Sequence, residues 1–270
     1  MALSILPVQD RLLRLVNPDI EAWMEDVRSR FTRDLSTPEF LKAVRALSAR
    51  YVERRDTLGR RSAADSAGKR AAFAAFFAPL HFLTTQAVVR QLDAARRPVE
   101  TIVDLGCGTG VAGAAWALAF PRRPRIVGID REGWALDEAA RTWRALGLEG
   151  RTKRADIGRP LSSLVTPFFR HPPATGIVLG WSANELTGAA RAALLPDLVA
   201  LAERGASLLV IEPIARTAVP WWDDWSRTWT RAGGRSDLWK LNEPLPSSLA
   251  VLSESAGFRR EGLTARTLWR

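Results

Sequence analysis

Apolar and polar positions follow two different spacing patterns along the chain, and the pattern changes about a third of the way along. In the first part, apolar residues such as Ile20, Trp23 and Val27 recur every three or four positions, which is typical of amphipathic helices. In the second part, short β-branched runs alternate with helical segments, the pattern of a parallel α/β sheet. We therefore predict a helical N-terminal domain at residues 1–98 and an α/β domain at residues 99–270.

Four helices are predicted in the N-terminal domain. Asn17-Pro18-Asp19 and Thr37-Pro38-Glu39 mark the first two helix starts, because proline fits the first turn after a capping residue. A polar stretch at 50–69 is predicted to be a loop. The third helix then ends at Pro79, and the fourth runs from about Phe82 to Ala95.

Seven strands are predicted in the second domain, with helices on both faces of the sheet. Five strand–helix units come first, and the last two strands look like an antiparallel pair. The predicted strands are Thr101–Leu105, Arg125–Asp130, Thr152–Ala155, Gly176–Gly180, Ser207–Ile211, Asp237–Leu241 and Leu263–Trp269.

A glycine-rich turn lies between the first strand and the helix that follows it. Glycines permit a sharp turn and let a ligand approach the backbone N–H groups of a helix N-terminus. Gly108–Gly113 fits the dinucleotide pattern G-x-G-x-x-G, with Asp130 as the acidic residue further on. Asp104 would repel a pyrophosphate and attract a cationic amino-acid group, so a nicotinamide cofactor is the weaker alternative.

Net charge and cysteine content limit the classes of binding partner and the cellular compartment that are expected. A net charge of +10 favours an anionic partner, nucleic acid foremost, although codon bias also enriches arginine. The single cysteine, Cys107, excludes an internal disulfide and a multi-cysteine metal site, which indicates a reducing, cytoplasmic setting. We expect Cys107 to fill space in the turn rather than to react.

No membrane attachment is expected from the sequence. No apolar run approaches the roughly 20 residues that cross a bilayer. Charges at Asp10, Arg11 and Arg14 interrupt the apolar residues of the first segment, which is therefore unlike a signal peptide.

The Asp-x-Gly-x-Gly-x-Gly sequence at 104–110 resembles the first motif of the class I S-adenosylmethionine (SAM)-dependent methyltransferases. The resemblance covers residues 99–270, and the predicted order of strands is that of the same fold. It implies SAM as cofactor and methyl transfer as the activity. The turn residues that it assigns to the cofactor are Asp104, Gly106, Cys107, Gly108 and Gly110.

The same resemblance places further cofactor contacts at the ends of strands. Asp130 would bind both ribose hydroxyls, since a carboxylate accepts several hydrogen bonds, with capping of the next helix as the alternative. Arg131 would lie beside the adenine edge. Asp156 would accept from the adenine amino group and Ile157 would cover the ring, unless both belong to a surface loop.

The segment from Gly180 to Leu186 follows the fourth strand, where open α/β sheets bind their ligands. Gly180 would contact the cofactor, and Trp181 would stack on a planar acceptor or on the cofactor. Asn184 is suited to orient an amine or hydroxyl and Glu185 to take its proton, although Asn-Glu-Leu also suits a helix start. The absence of Asn-Pro-Pro-Tyr argues against adenine-N6 DNA methyltransferases and glutamine methyltransferases.

Two other features are candidates for the substrate side. His81 is a candidate base on the N-terminal helices, although a lone histidine is more often structural. Trp221, Trp225 and Trp229 recur at helical spacing, which favours a packing stripe over a substrate mouth.

A more distant resemblance links the chain to the small-ribosomal-subunit assembly family of methyltransferase-like proteins. Leu47–Tyr51, Asn184-Glu185-Leu186 and Val210–Pro213 carry it. It implies rRNA or a ribosomal component as the methyl acceptor. The chain lacks the cysteines that some members use for an iron–sulfur cluster, so no metal is expected. A non-catalytic SAM-binding assembly factor and a small-molecule methyltransferase stay open as alternatives.

Overall fold

The computed structural model describes residues 18–53, 66–165, 171–258 and 262–270. The predicted cap Asn17, the first segment and most of the predicted loop at 50–69 lie outside these ranges.

The helices of the described residues follow the sequence pattern closely. They are α1 (Pro18–Thr32), α2 (Thr37–Glu53), α3 (Ala67–Gln91), α4 (Val111–Ala117), α5 (Gly133–Ala145), α6 (Leu161–Val165), α7 (Gly188–Glu203), α8 (Trp222–Arg231) and α9 (Ser247–Ser255).

The strands form one seven-stranded sheet in the order β3-β2-β1-β4-β5-β7-β6. They are β1 (Thr101–Leu105), β2 (Arg125–Asp130), β3 (Gly150–Arg154), β4 (Thr175–Gly180), β5 (Ser207–Glu212), β6 (Arg235–Leu241) and β7 (Leu263–Trp269). β1 to β5 are parallel, and β7 runs antiparallel to both β5 and β6. The predicted fold class and the antiparallel final pair are confirmed.

Apolar side chains cover both faces of the sheet, as expected for central parallel strands. Alternate residues of β1 point to opposite faces: Ile102 belongs to the buried cluster that includes α1–α5 and α9, whereas Val103 belongs to the cluster that includes α6–α8. The chain order reverses between β1 and β4, so the carboxyl ends of these two strands open a crevice.

Helix α3 corrects the prediction of two helices separated at Pro79. It is continuous from Ala67 to Gln91, with a π-helical stretch at Phe73–Phe77. There the N–H of Ala78 bonds to the carbonyl of Phe73, five residues back. Proline lacks an N–H, and the wider π turn just before it lets the helix pass without a break.

The same helix bears on the expectation that the chain has no membrane attachment. By length and composition alone α3 could cross a membrane, since its most apolar window of 18 residues has a mean hydropathy of 1.5. However, 83% of that window is buried inside the protein, as in the core helix of a globular fold.

Side-chain hydrogen bonds join the N-terminal helices to the α/β part. Trp23 on α1 donates to Thr142 on α5 at 3.3 Å, and Arg30 forms a two-point ion pair with the buried Glu138. Apolar residues of α1–α3 share one buried cluster with α4 and α5. The domain boundary at residue 98 stays a prediction.

Candidate active site

A cleft with a cavity volume of about 320 Å³ lies at the carboxyl ends of β1, β2, β4 and β5, with α3 along one side. Most of the predicted site residues line it. They are Gly106, Cys107, Gly108, Asp130, Arg131, Asp156, Ile157, Gly180, Trp181, Asn184 and Glu185. The remaining two, Asp104 and Gly110, are not on the lining.

The glycine turn brings bare backbone against the cleft. Gly106 has φ +69°, a left-handed conformation that side chains rarely adopt. A Cβ atom there would lie 2.5 Å from the Cβ of Ser182, whose hydroxyl donates to the carbonyl of Leu105 at 2.8 Å. The N–H groups of Gly106 and Cys107 both bond to the carbonyl of Ile129, which ties the turn to β2.

Gly110 stabilises the turn on the side away from the cleft. It caps α4 with φ +78°, and its carbonyl accepts a hydrogen bond from the Trp143 indole at 2.9 Å. A Cβ atom on Gly110 would come within 2.6 Å of that indole nitrogen. A Cβ atom would therefore be about as crowded on Gly110 as on Gly106.

Asp104 is fully buried and faces α4 instead of the cleft. Its Oδ2 accepts the N–H of Gly113 at 2.8 Å, and its Oδ1 is buried without a hydrogen-bond partner in the described residues. Burial raises the pKa of Asp104 to about 7, and the bond from Gly113 only partly opposes this. Asp104 thus fixes the start of α4, and its direct contact with the cofactor stays a prediction.

Asp130 ends β2 and braces two segments at once. Its Oδ2 accepts the N–H of Gly108 at 2.8 Å, and its Oδ1 accepts the N–H of Glu132 at 2.9 Å, next to the start of α5. Each carboxylate oxygen can accept a further hydrogen bond. The capping interpretation and the ribose interpretation are therefore compatible in one side chain.

The residues after β3 form a second wall of the cleft. Asp156 is exposed and its Oδ1 accepts the N–H of Gly158 at 2.8 Å. Ile157 is buried, and its Cδ1 would lie 3.1 Å from a Cβ atom on Gly106. Arg131 lines the cleft from the end of β2, where its guanidinium lies 3.6 Å from Glu132.

Cys107 fills space in the turn. It is buried, and burial raises the pKa of its thiol well above the usual value. Since the thiolate is the reactive form, this shift opposes a reaction at the thiol.

Trp181 and His81 form a flat aromatic wall on the other side. Their rings are parallel within 5° with centroids 3.8 Å apart, and both line the cleft. Trp181 has φ +55°, which is a strained conformation for a bulky side chain, and its N–H bonds to the carbonyl of Ile211 at 2.8 Å. Phe73 and Phe77, from the π-helical stretch of α3, contact the His81 ring.

Asn184 is held by a glutamate that sequence analysis did not select as a site residue. Glu212 ends β5 with no exposed surface; its Oε1 accepts the Asn184 N–H at 3.1 Å and its Oε2 accepts the Asn184 side-chain amide at 2.8 Å. Burial raises the pKa of Glu212 to about 8, while the bonds from Asn184 act in the opposite direction. The available signal was a lone acidic residue at the end of an otherwise apolar strand.

The segment around Asn184 does not begin a helix. Ala183–Glu185 is a single 3-10 turn, and α7 starts later, capped by the hydroxyl of Thr187, which accepts the N–H of Ala190. Arg191 on α7 donates to the carbonyls of Ala183 and Leu186, which holds the turn in place.

The tryptophan stripe of α8 belongs to the core. Trp225 and Trp229 are buried, and none of Trp221, Trp225 and Trp229 lines the cleft. Within the described residues, no group of three or more His, Cys, Asp or Glu side chains is arranged to hold a metal ion.

Comparisons with known proteins agree with this geometry. The family model of the methyltransferase small domain matches residues 83–168. The ribosomal RNA large subunit methyltransferase G of Ectopseudomonas mendocina (strain ymp) is 36% identical over 114 residues, which cover 39% of this chain and 28% of that protein. The chain thus spans less than a third of the length of this relative.

Two solved structures are similar to the chain at low sequence identity. A putative O-methyltransferase from Nostoc punctiforme is 13% identical with a TM-score of 0.51, over 90% of this chain and 72% of that one. A SAM-dependent methyltransferase from Thiobacillus denitrificans, in complex with S-adenosylhomocysteine, is 15% identical with a TM-score of 0.43, over 71% and 90%. In its strand order, its glycine turn and the family match at residues 83–168, the chain is similar to the class I SAM-dependent methyltransferases.

Proposed function

We propose that the protein transfers a methyl group from SAM to ribosomal RNA. The observation that carries the methyl-transfer assignment is the turn of Gly106 to Gly110, braced by Asp130 at the mouth of the crevice between β1 and β4. Support for an RNA acceptor comes from the name of the large-subunit rRNA methyltransferase relative and from the net charge of +10. We assign the reaction to the cytoplasm on the same grounds.

One wall of the cleft binds the cofactor, and the other wall binds the methyl acceptor. The bare backbone at Gly106 and Gly108 admits the cofactor, Asp130 binds its ribose, and Asp156 with Ile157 holds its adenine. SAM supplies a methyl group on a positively charged sulfur, which leaves as a neutral thioether when the acceptor bonds to the methyl carbon. Orientation and exclusion of water are the protein's main contributions to such a displacement.

The acceptor side comprises Trp181, Asn184 and Glu185. Trp181 presents a ring face to a planar acceptor, and Asn184 orients the reacting group through a hydrogen bond. Glu185 takes the proton that the acceptor loses. The helical N-terminal residues contribute α3, which places His81 at the same wall and limits access from that direction.

Calorimetry and radiolabel transfer test this proposal in order. Titration with SAM, S-adenosylhomocysteine and NAD should show binding of the first two and none of the third. Tritiated SAM is then incubated with large-subunit and small-subunit rRNA transcribed in vitro, and label in either RNA identifies the acceptor. Salt-sensitive RNA binding without label would instead favour the non-catalytic assembly factor. Cofactor binding with neither RNA binding nor label would favour a small-molecule acceptor.

A further inference from the structure

The amide of Asn184 has a fixed orientation. Both hydrogen bonds from this residue, from its backbone N–H and from its Nδ2, go to the carboxylate of Glu212. Glu212 is completely buried and does not line the cleft, whereas Asn184 does. The amide nitrogen Nδ2 is the end of the side chain that bonds to Glu212, so the carbonyl oxygen Oδ1 is the end left to face the cleft.

The other polar groups on the lining are mostly of the same kind. On the acceptor side, the carboxylate of Glu185 lines the cleft together with Asn184 and the imidazole of His81, whereas Asp130 and Asp156 are assigned to the cofactor. A phenolate or carboxylate acceptor would be repelled by this surface. A neutral group that donates an N–H hydrogen bond would be attracted.

A flat wall stands beside these hydrogen-bond acceptors. The Trp181–His81 pair is stacked at 3.8 Å and lines the cleft together with Asn184 and Glu185. Aromatic faces of this kind bind planar rings in an offset stack. The bond of the Trp181 N–H to the carbonyl of Ile211 and the stack on His81 hold the residue at its strained φ of +55°.

We propose that Glu212 is a positioning residue that turns the Asn184 carbonyl oxygen to the cleft and thereby selects an amino group on a planar heteroaromatic ring as the methyl acceptor. This inference rests on the methyl-transfer function proposed above. The amino nitrogen donates an N–H to Asn184 Oδ1, and its lone pair forms the new bond to the methyl carbon. The carbon–sulfur bond breaks with its electrons remaining on sulfur, and the N–H proton passes to the carboxylate of Glu185.

Glu212→Gln tests the orientation with little change of volume. The glutamine carbonyl can still accept the backbone N–H of Asn184, but its NH₂ group donates where the carboxylate accepted. The Asn184 amide must then invert, which presents its NH₂ group to the cleft. Glu203→Gln is the matched control, because Glu203 is an exposed residue at the end of α7.

Binding of matched nucleosides to protein saturated with S-adenosylhomocysteine measures the selection. Guanosine and inosine differ only in the 2-amino group, and adenosine and purine riboside differ only in the 6-amino group. For at least one pair, ligand-observed NMR should show about tenfold tighter binding of the amino-bearing member, as expected for one hydrogen bond of good geometry. Glu212→Gln should abolish that preference and Glu203→Gln should keep it.

A second readout follows Asn184 directly. In the wild-type protein its side-chain NH₂ protons are donated to a buried carboxylate and should exchange slowly with solvent in an NMR experiment. In Glu212→Gln they should exchange rapidly, while the affinity for S-adenosylhomocysteine stays within about twofold.

The outcomes separate this inference from the function on which it rests. Failure to bind S-adenosylhomocysteine would overturn the proposed methyl transfer itself. If the protein binds this product but neither pair shows a preference, or binds no nucleoside at all, the selection by Asn184 is wrong. An unchanged preference or unchanged NH₂ exchange in Glu212→Gln would overturn the role of Glu212.

Discussion

The two walls of the cleft are built in different ways. The cofactor wall comes from short segments at the ends of β1, β2 and β3, and backbone bonds to Ile129 and Asp130 hold it. The acceptor wall combines side chains far apart in sequence, with His81 on α3, Trp181 and Asn184 after β4, and Glu212 at the end of β5. The first wall is therefore held mainly by hydrogen bonds from backbone N–H groups, and the second by contacts between side chains.

The largest effect is expected where a side chain enters the cofactor wall. Gly106→Ala puts a Cβ atom 2.5 Å from that of Ser182 at a φ of +69°. A cost of about 3 kcal/mol, from strain and overpacking, corresponds to about a hundredfold loss of SAM affinity in calorimetry. Gly188→Ala is the control, since nothing lies within 4 Å of its Cβ position. SAM affinity of wild-type strength in Gly106→Ala would show that this turn does not hold the cofactor.

Asp130→Ala should have the next largest effect. It removes the acceptor of the Gly108 and Glu132 N–H groups along with the proposed ribose contact, and hydrogen bonds to a charged group are worth about 2 kcal/mol. We expect about thirtyfold weaker SAM binding by calorimetry. Asp130→Asn keeps an acceptor oxygen and should lose less. Equal affinity in the alanine variant and the wild type would rule out the ribose assignment.

The same contrast explains what could be predicted from the sequence. The seven strands and the cofactor wall follow from local patterns, and the bounds predicted for the strand Leu263–Trp269 coincide with those of β7. Pro79 does not end a helix as the sequence predicts, because the π-helical stretch just before it lets the helix continue, and the apolar pattern carries no signal of that stretch. Glu212 was missed for a related reason: only the fold brings it to Asn184, 28 residues earlier in the chain.

His81 tests whether the acceptor wall is independent of the cofactor wall. His81→Ala removes one ring of a stacked pair, and aromatic pairs of this kind contribute about 1 kcal/mol. We expect about fivefold slower methyl transfer in the radiolabel assay, with SAM affinity within about twofold. His81→Phe keeps a ring and should keep most of the activity. An equal loss of activity in both variants would indicate that the imidazole acts as a base. A loss of SAM affinity as large as the loss of activity would show that the two walls are not independent.

Asp104 belongs to the glycine motif by sequence, but its side chain lies behind the cofactor wall and contacts α4. Its folded-state pKa of about 7 is above the ordinary value of 3.8, so the native protein holds this proton more tightly than the unfolded chain. This stabilisation is complete below about pH 4 and is lost as the pH rises to 7. We therefore expect the wild type to lose about 2 kcal/mol of unfolding free energy between pH 5 and 7 through this group alone.

Asp104→Asn cannot bind that proton, and its denaturant-measured stability should decline less over the same pH range. Its side-chain oxygen can still accept the N–H of Gly113, so the start of α4 is preserved. Asp137→Asn, at an exposed position of α5, should keep the wild-type slope. If Asp104→Asn shows that slope as well, the Asp104 carboxylate is ionised throughout. The buried charge would then lie behind the glycine turn and favour a cationic ligand group, which is the role that the sequence alone suggested for Asp104.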